Sequence, residues 1–281
     1  LIPHLMEIVL DVGKRPFAWV NGERHFLGDT DTLVTMEQLQ EIVESLHFGP
    51  DNRAGINGSL HRISAIRNRE GTCIGLTLRV GRFVPGNAMM IADVLAGMPH
   101  SSILVIGDPG SGKTSIIRDA ARFLAEQHSL LIIDTSCEIG GSGDVPHECI
   151  GLSRRMQVKN IESQASVMVE CVQNHTPAVM VIDEIGREAE VRAALTCKER
   201  GVRIIASAHG NLSGLVRNAS LCDLVGGVDV VTVGDKAAKD EAKRRRQSKS
   251  GIASKLNAQR RGPPIFDVII ELKRGYLNEW H

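Results

Sequence analysis

Aromatic side chains make up only 3% of this 281-residue chain, and none falls between Asp235 and Arg261. Single-strand nucleic-acid binders interleave aromatics with cations, so that stretch lacks a base-stacking surface of its own. No run approaches the roughly 18 uninterrupted apolar residues of a membrane-spanning helix. The six cysteines (73, 137, 149, 171, 197 and 222) include no Cys-x-x-Cys pair. Their scatter points to free thiols in a reducing compartment rather than to a disulfide or zinc framework. Net charge is also absent, yet its zero hides an imbalance. Residues 236–261 carry five lysines and five arginines against Asp240 and Glu241, which leaves the rest of the chain acidic. The first residue is Leu rather than Met, so a further N-terminal segment, such as a targeting peptide, is expected.

With 42% apolar and 23% charged residues the composition is that of a soluble globular protein. Its length allows two domains. Residues 1–84 read as a small α+β unit. Phe17–Val20 and His25–Leu27 flank an Asn21-Gly22 turn, a hairpin signal. Thr35 and Gln38 form a capping box ahead of a helix over Met36–Phe48. Strands are predicted around Ile63–Ile66 and Thr72–Val80. A linker with Pro85 and Gly86 covers 85–92, and residues 93–281 alternate strand and helix as a parallel α/β sheet requires. Strands are predicted at 103–106, 130–134, 178–182, 203–208 and 228–233, with a last one over Phe266–Leu272. Helices are predicted at 115–127, 161–174, 187–200 and 212–222. Near-continuous apolar runs fit strands buried on both faces.

The strongest motif joins the first of these strands to the first helix: Gly107, Asp108, Pro109, Gly110, Ser111, Gly112, Lys113, Thr114, Ser115. Glycines let successive amides curl toward an anion, and the helix N-terminus adds partial positive charge. Lys113 then reaches the β- and γ-phosphates of a nucleoside triphosphate, and the Thr114 hydroxyl ligates Mg²⁺. Asp183 and Glu184 end the apolar strand Val179–Ile182. Asp183 suits the metal's surroundings and Glu184 suits polarising the attacking water. Glu138 lies beside a glycine-rich stretch, Gly140-Gly141-Ser142-Gly143, read as a mobile loop, and rivals Glu184 as the base. His209 ends the strand before Gly210, where it can sense phosphate or orient water. Arg62, Arg67, Arg69 and Arg79 lie on or beside the N-terminal strands, from which an arginine can reach a neighbouring subunit's γ-phosphate. The basic stretch 236–261 reads as a flexible helix or loop, either binding phosphate backbones or remaining a solvated or subunit-facing charge run. No Asn-Lys-x-Asp motif occurs, so ATP rather than GTP is expected.

Five ordered motifs carry a resemblance: Gly-Asp-Pro-Gly-Ser-Gly-Lys-Thr, Asp-Thr-Ser-Cys-Glu-Ile-Gly-Gly-Ser-Gly-Asp-Val-Pro-His, Val-Ile-Asp-Glu-Ile-Gly, Ala-Ser-Ala-His-Gly and Pro-Pro-Ile-Phe-Asp-Val. Over about residues 100–272 the chain resembles the plastid and cyanobacterial ATPases related to the stage III sporulation protein AA ATPase. The layout is more distantly similar to the hexameric motor ATPases of type II/IV secretion and pilus retraction. The resemblance implies a RecA-like P-loop core, a homohexamer using ATP and Mg²⁺, and a plastid setting, with mitochondrion or bacterial cytoplasm as alternatives. It also implies that Arg62, Arg67 and Arg79 act in trans, that Glu138 falls in an acidic box and that His209 falls in a histidine box. Many members continue into a small C-terminal domain that binds single-stranded nucleic acid, which residues up to His281 do not include. The expected activity is an ATP-driven nucleic-acid motor, with a protein-directed assembly ATPase or a nucleotide-gated scaffold as alternatives.

Overall fold

The computed structural model describes residues 4–232, 256–260 and 262–273. Two six-stranded sheets organise them. The first is antiparallel and contains β1 (Leu5–Asp11), β2 (Phe17–Val20), β3 (Glu23–Phe26), β4 (Arg53–Gly55), β5 (Arg62–Arg67) and β6 (Cys73–Arg79). Its strand order is β3-β2-β1-β6-β5-β4. Asn21 and Gly22 both take positive φ, 52° and 83°, which matches the twist of the β2–β3 hairpin. Helix α1 (Met36–Glu44) starts at Thr35, whose side chain accepts from the Gln38 amide while the Gln38 side chain accepts from the Thr35 amide. Leu39 of that helix is buried with Val34, Ala54, Ile63, Cys73 and Leu76, a core on one face of the sheet.

The second sheet is wholly parallel. It is built from β7 (Ile103–Gly107), β8 (Leu130–Asp134), β9 (Arg154–Gln157), β10 (Val179–Ile182), β11 (Arg203–His209) and β14 (Val268–Leu272). The order is β14-β7-β11-β10-β8-β9. Alternate residues of its inner strands enter two separate cores. Leu104, Ile106, Met180, Ile182 and Ile204 pack with α4 (Gln164–His175) and α5 (Glu188–Glu199). Ile103, Val105, Val179, Val181 and Ile205 pack with α3 (Lys113–Ala125) and α2 (Ala92–Gly97). Helices on both faces leave no polar side for these strands, which explains their unbroken apolar runs.

The expected strand at 228–233 does form, as β12 (Val228–Thr232), but outside this sheet. It pairs antiparallel with β13 (Leu256–Arg260) in a separate two-stranded sheet. The last place in the parallel sheet beside β7 goes instead to β14. Residues 256–260 are thus a strand rather than helix or loop, and the rest of the basic stretch 236–261 lies outside the described residues. The expected helix over 212–222 is shorter, with α6 (Leu212–Arg217) followed by a 3₁₀ turn at Cys222–Val225.

Candidate functional site

Ligands on parallel sheets bind beyond the carboxyl ends of the strands. Here the register brings Gly107 level with both His209 and Leu272, and Ile182 level with Ile133 and Ala206. The loops after β7, β8, β10 and β11 therefore open at one edge.

The loop after β7 has an anion's geometry. Gly110 and Gly112 take φ of 74° and 94°, a backbone that only glycine adopts without strain, and nothing lies within 4 Å of where their side chains would be. Gly107 is tight for another reason, because a Cβ there would meet Ser111 Oγ at 2.6 Å and the Leu272 carbonyl at 2.8 Å. Helix α3 begins at Gly112 with no side chain capping its first amides. The Ser111 hydroxyl is buried without a hydrogen-bond partner. Uncapped amides, an unsatisfied hydroxyl and a buried ammonium together fit a phosphate group. That ammonium is Lys113, which donates to the Gly107 carbonyl at 2.8 Å and the Asp108 carbonyl at 3.0 Å. Burial pulls it below the usual lysine range, while Glu184, Asp108, Glu138 and Asp183 pull it back up.

Lys113 also lies 3.2 Å from His209 Nδ1, and His209 Nε2 lies 3.1 Å from the Glu184 carboxylate. An ammonium has no lone pair, so Nδ1 accepts, the ring proton sits on Nε2 and points to Glu184. Lys113, His209 and Glu184 form a chain along the mouth of the site. A second chain runs alongside it. Arg62 Nη1 meets one oxygen of Glu138 at 3.3 Å, and the Thr114 hydroxyl meets the other at 3.4 Å. Asp183 is buried, and its carboxyl is held well above the usual carboxylate range. Burial is the main cause, followed by Asp134, Glu138 and Glu184, with the Ser136 amide opposing them. Asp134 is fully buried and accepts from the amides of Ile139 (3.3 Å) and Gly140 (2.8 Å). Buried acids of this kind suit a divalent cation, and Thr114 with Asp183 would hold one.

The structure thus gathers Lys113, Thr114, Glu138, Asp183, Glu184 and His209, together with Arg62. Arg79 lies directly across from Arg62 in the β5–β6 register. Arg67 sits at the other end of β5, donating to Asn52 Oδ1 at 2.8 Å and the Gly71 carbonyl at 2.9 Å. It is not brought to the P-loop of its own chain. Arg69 lies exposed beyond β5.

The loop at 138–147 does not stand free, as the glycines suggested. Arg155 on β9 donates to the carbonyls of Gly140, Gly141, Gly143 and Asp144. Gln157 adds bonds of 3.0 Å to Ser142 and Gly143. Arg118 on α3 holds the Glu138 and Ile139 carbonyls. On the other side, Gly58 donates to the Val145 carbonyl (2.9 Å), and Val145 donates to Asn57 Oδ1 (3.3 Å), joining the loop to the first sheet. Glycine's missing side chain is what admits these contacts, since a Cβ at Gly141 would lie 2.1 Å from the Ser59 carbonyl. Sequence reasoning also missed Gln164. It is buried at the start of α4, accepts from the Thr135 hydroxyl and donates to the Glu184 carbonyl at 2.6 Å. One amide therefore spans the two acidic loops. No spacing rule marks it, although a buried Arg118 on an apolar helix face was a readable signal.

The family described as Sporulation stage III, protein AA, matches residues 53–231. Protein SEEDLING PLASTID DEVELOPMENT 1 of Arabidopsis thaliana is 46% identical over 96% of this chain and 38% of its own length. The ycf45 protein of Porphyra purpurea is 46% identical over 96% of this chain and 46% of its own length. The chain therefore spans less than half of either relative. Among solved structures, the pilus retraction motor PilT with bound ADP superposes with a TM-score of 0.60 at 17% identity, over 83% of this chain and 76% of that one. The fold is that of the RecA-like P-loop ATPases. With 53–231 matched, and the P-loop, Asp183-Glu184 and His209 inside that span, the chain belongs to the sporulation stage III protein AA family.

Proposed function

We propose that the chain is a Mg²⁺-dependent ATP hydrolase that works as a ring of identical subunits, with residues 1–84 and 93–281 as its two domains. The observation that carries this is Lys113, a buried ammonium at the N-terminus of α3 that donates to the Gly107 and Asp108 carbonyls and meets the His209 ring, with Glu184, Asp108, Glu138 and Asp183 near enough to favour its charge. The amides of Gly110–Thr114 and Lys113 would hold the triphosphate. Bound Mg²⁺, next to Thr114 and Asp183, would offset phosphate charge. Glu184, fixed by His209, or Glu138, fixed by Arg62, accepts the proton of the attacking water as the bond from the β–γ bridging oxygen to the γ-phosphorus breaks. ADP and phosphate leave, and the carboxylate returns its proton to solvent.

Hydrolysis on this reading drives remodelling of nucleic acid in a plastid. The basic stretch 236–261 supports the first part, and the name of the Arabidopsis relative supports the second. The likeness to a pilus retraction motor favours a second reading, an assembly ATPase acting on protein. Turnover by the purified chain, with and without single-stranded DNA or RNA at two salt concentrations, separates them. Stimulation that fades with salt supports the nucleic-acid motor, and indifference to nucleic acid supports the assembly ATPase. Absence of Mg²⁺-dependent turnover leaves a nucleotide-gated scaffold.

A further inference from the structure

The chain has nine aromatic residues, two Trp, one Tyr and six Phe, and three of them share one face of the first hairpin. In the β2–β3 register Phe17 lies opposite Phe26 and Trp19 opposite Arg24. Residues paired in this way project from the same side of a sheet. The Phe17 ring centre is 6.1 Å from that of Trp19 and 6.3 Å from that of Phe26, both pairs meeting edge to face. Arginines cover the rings. Arg24 lies 4.6 Å from the centre of Phe17 and 5.1 Å from that of Trp19, and Arg15 lies 4.8 Å from that of Phe26.

Core packing does not account for this cluster. The opposite side of β2 carries Ala18 and Val20, both buried, and the core of this sheet contains none of the three rings. Phe26 is 51% exposed on β3, the outer strand of the sheet. Across β1 the same face continues with Glu7, which lies level with Trp19 on one side and Arg79 on the other. Along the sheet its charges are Arg15, Arg24, Arg79 and Arg62 against Glu7 and Asp11, with Asp11 paired to Lys14 and Arg62 to Glu138. The rings pack against one another edge to face, and each also has a guanidinium beside it.

We propose that this hairpin face binds single-stranded nucleic acid, with bases stacked on Phe17, Trp19 and Phe26 and phosphates held by Arg15 and Arg24. An exposed cation–π contact is weaker than base–aromatic stacking. An incoming base therefore displaces the guanidinium, which swings to the phosphate beside that base. Recognition of this kind tolerates any sequence, because every base has a stacking face. The aromatics that the basic stretch 236–261 lacks are supplied by a different part of the chain. The proposal rests on the nucleic-acid half of the function above and is independent of hydrolysis.

The test uses the whole chain carrying Trp280→Phe, which leaves Trp19 as its single tryptophan. It is titrated with an oligothymidine of about 15 nucleotides, without ATP, at low and moderate salt. We expect saturable quenching of Trp19 and affinity that falls with salt. Phe26→Leu and Arg24→Gln should each weaken binding roughly tenfold while keeping the thermal midpoint and basal ATP turnover. Should Phe26→Leu fail to fold, the exposed Arg24→Gln carries the test. No binding, or binding that both variants leave intact with Trp19 unquenched, overturns the site. So do variants that change only the sedimentation of the chain, which would make this face a contact between subunits. Hairpin-dependent binding without ATP turnover would sink the hydrolase reading alone, and turnover without any binding would sink this site and the nucleic-acid reading while leaving the hydrolase.

Discussion

Arg62 and Glu138, 76 positions apart in the sequence, meet at 3.3 Å, the guanidinium coming from the first sheet and the carboxylate from the loop after β8. The pair is a bridge between the two sheets that ends on the P-loop, since the other oxygen of Glu138 meets Thr114. Burial, with Arg53 and Arg79 nearby, lowers the Arg62 guanidinium from its ordinary range, while Glu138 raises it. Glu138 thus offsets the repulsion that Arg62 meets from Arg53 and Arg79.

That contact lies within one chain, so Arg62 should serve its own site. Arg62→Ala is expected to lower turnover at least tenfold, on the scale of a lost transition-state cation. Mixing it with Glu184→Gln subunits distinguishes cis from trans. A cis role predicts no recovery of turnover in the mixture, and recovery would show that Arg62 completes a neighbour's site.

Lys113→Ala should abolish ATP binding. The ammonium is the one side-chain cation hydrogen-bonded to the P-loop carbonyls among the described residues. Titration with a fluorescent ATP analogue checks this, and wild-type affinity in the variant would sink the phosphate assignment.

Glu184→Gln should bind ATP normally and lose about 10²-fold or more of kcat, the usual contribution of a general base. Glu138→Gln provides the comparison. If turnover survives in Glu184→Gln and collapses in Glu138→Gln, the carboxylate beside Thr114 is the base and the His209–Glu184 pair serves only to hold Lys113.

What the sequence revealed, and what it hid, divides along contact distance. The P-loop and Asp183-Glu184 are contiguous, one on a backbone turn and the other at a strand end, so their spacing alone marked them as candidates. Gln164 and Arg155 act on carbonyls 20 and 14 positions away, and carbonyls leave no mark in a sequence. Strand β9 reads Arg-Arg-Met-Gln because it is an edge strand, half-exposed, and so showed no apolar run. The opposite error arose at Val228–Thr232, a run that does form a strand but pairs with residues 256–260 instead of joining the parallel sheet. A strand pattern does not name the strand's partner.

Gln164→Ala should lower kcat while leaving nucleotide affinity unchanged, because the amide touches the backbone of Glu184 and the hydroxyl of Thr135 rather than the phosphate loop. Leaving the Glu184 carbonyl without its donor also costs about 1–3 kcal/mol of stability. A drop in thermal midpoint with kcat intact would make Gln164 purely structural.

Glu190 gives a pH test away from the P-loop. Its carboxylate accepts from the amides of Gly186 (2.8 Å) and Arg187 (3.0 Å) and so fixes the turn that follows Glu184. Burial nevertheless raises its pKa above the ordinary 4.5, those amides pulling the other way. Between 4.5 and the raised value the folded chain holds more protons at this site than the unfolded chain. This group's contribution to stability therefore falls as pH rises through that window. Glu190→Gln cannot titrate and keeps an acceptor for the two amides. Urea unfolding of both proteins from pH 4.5 upward should show the wild type losing stability relative to the variant as pH rises. Parallel curves would mean that the two amides compensate the burial in full.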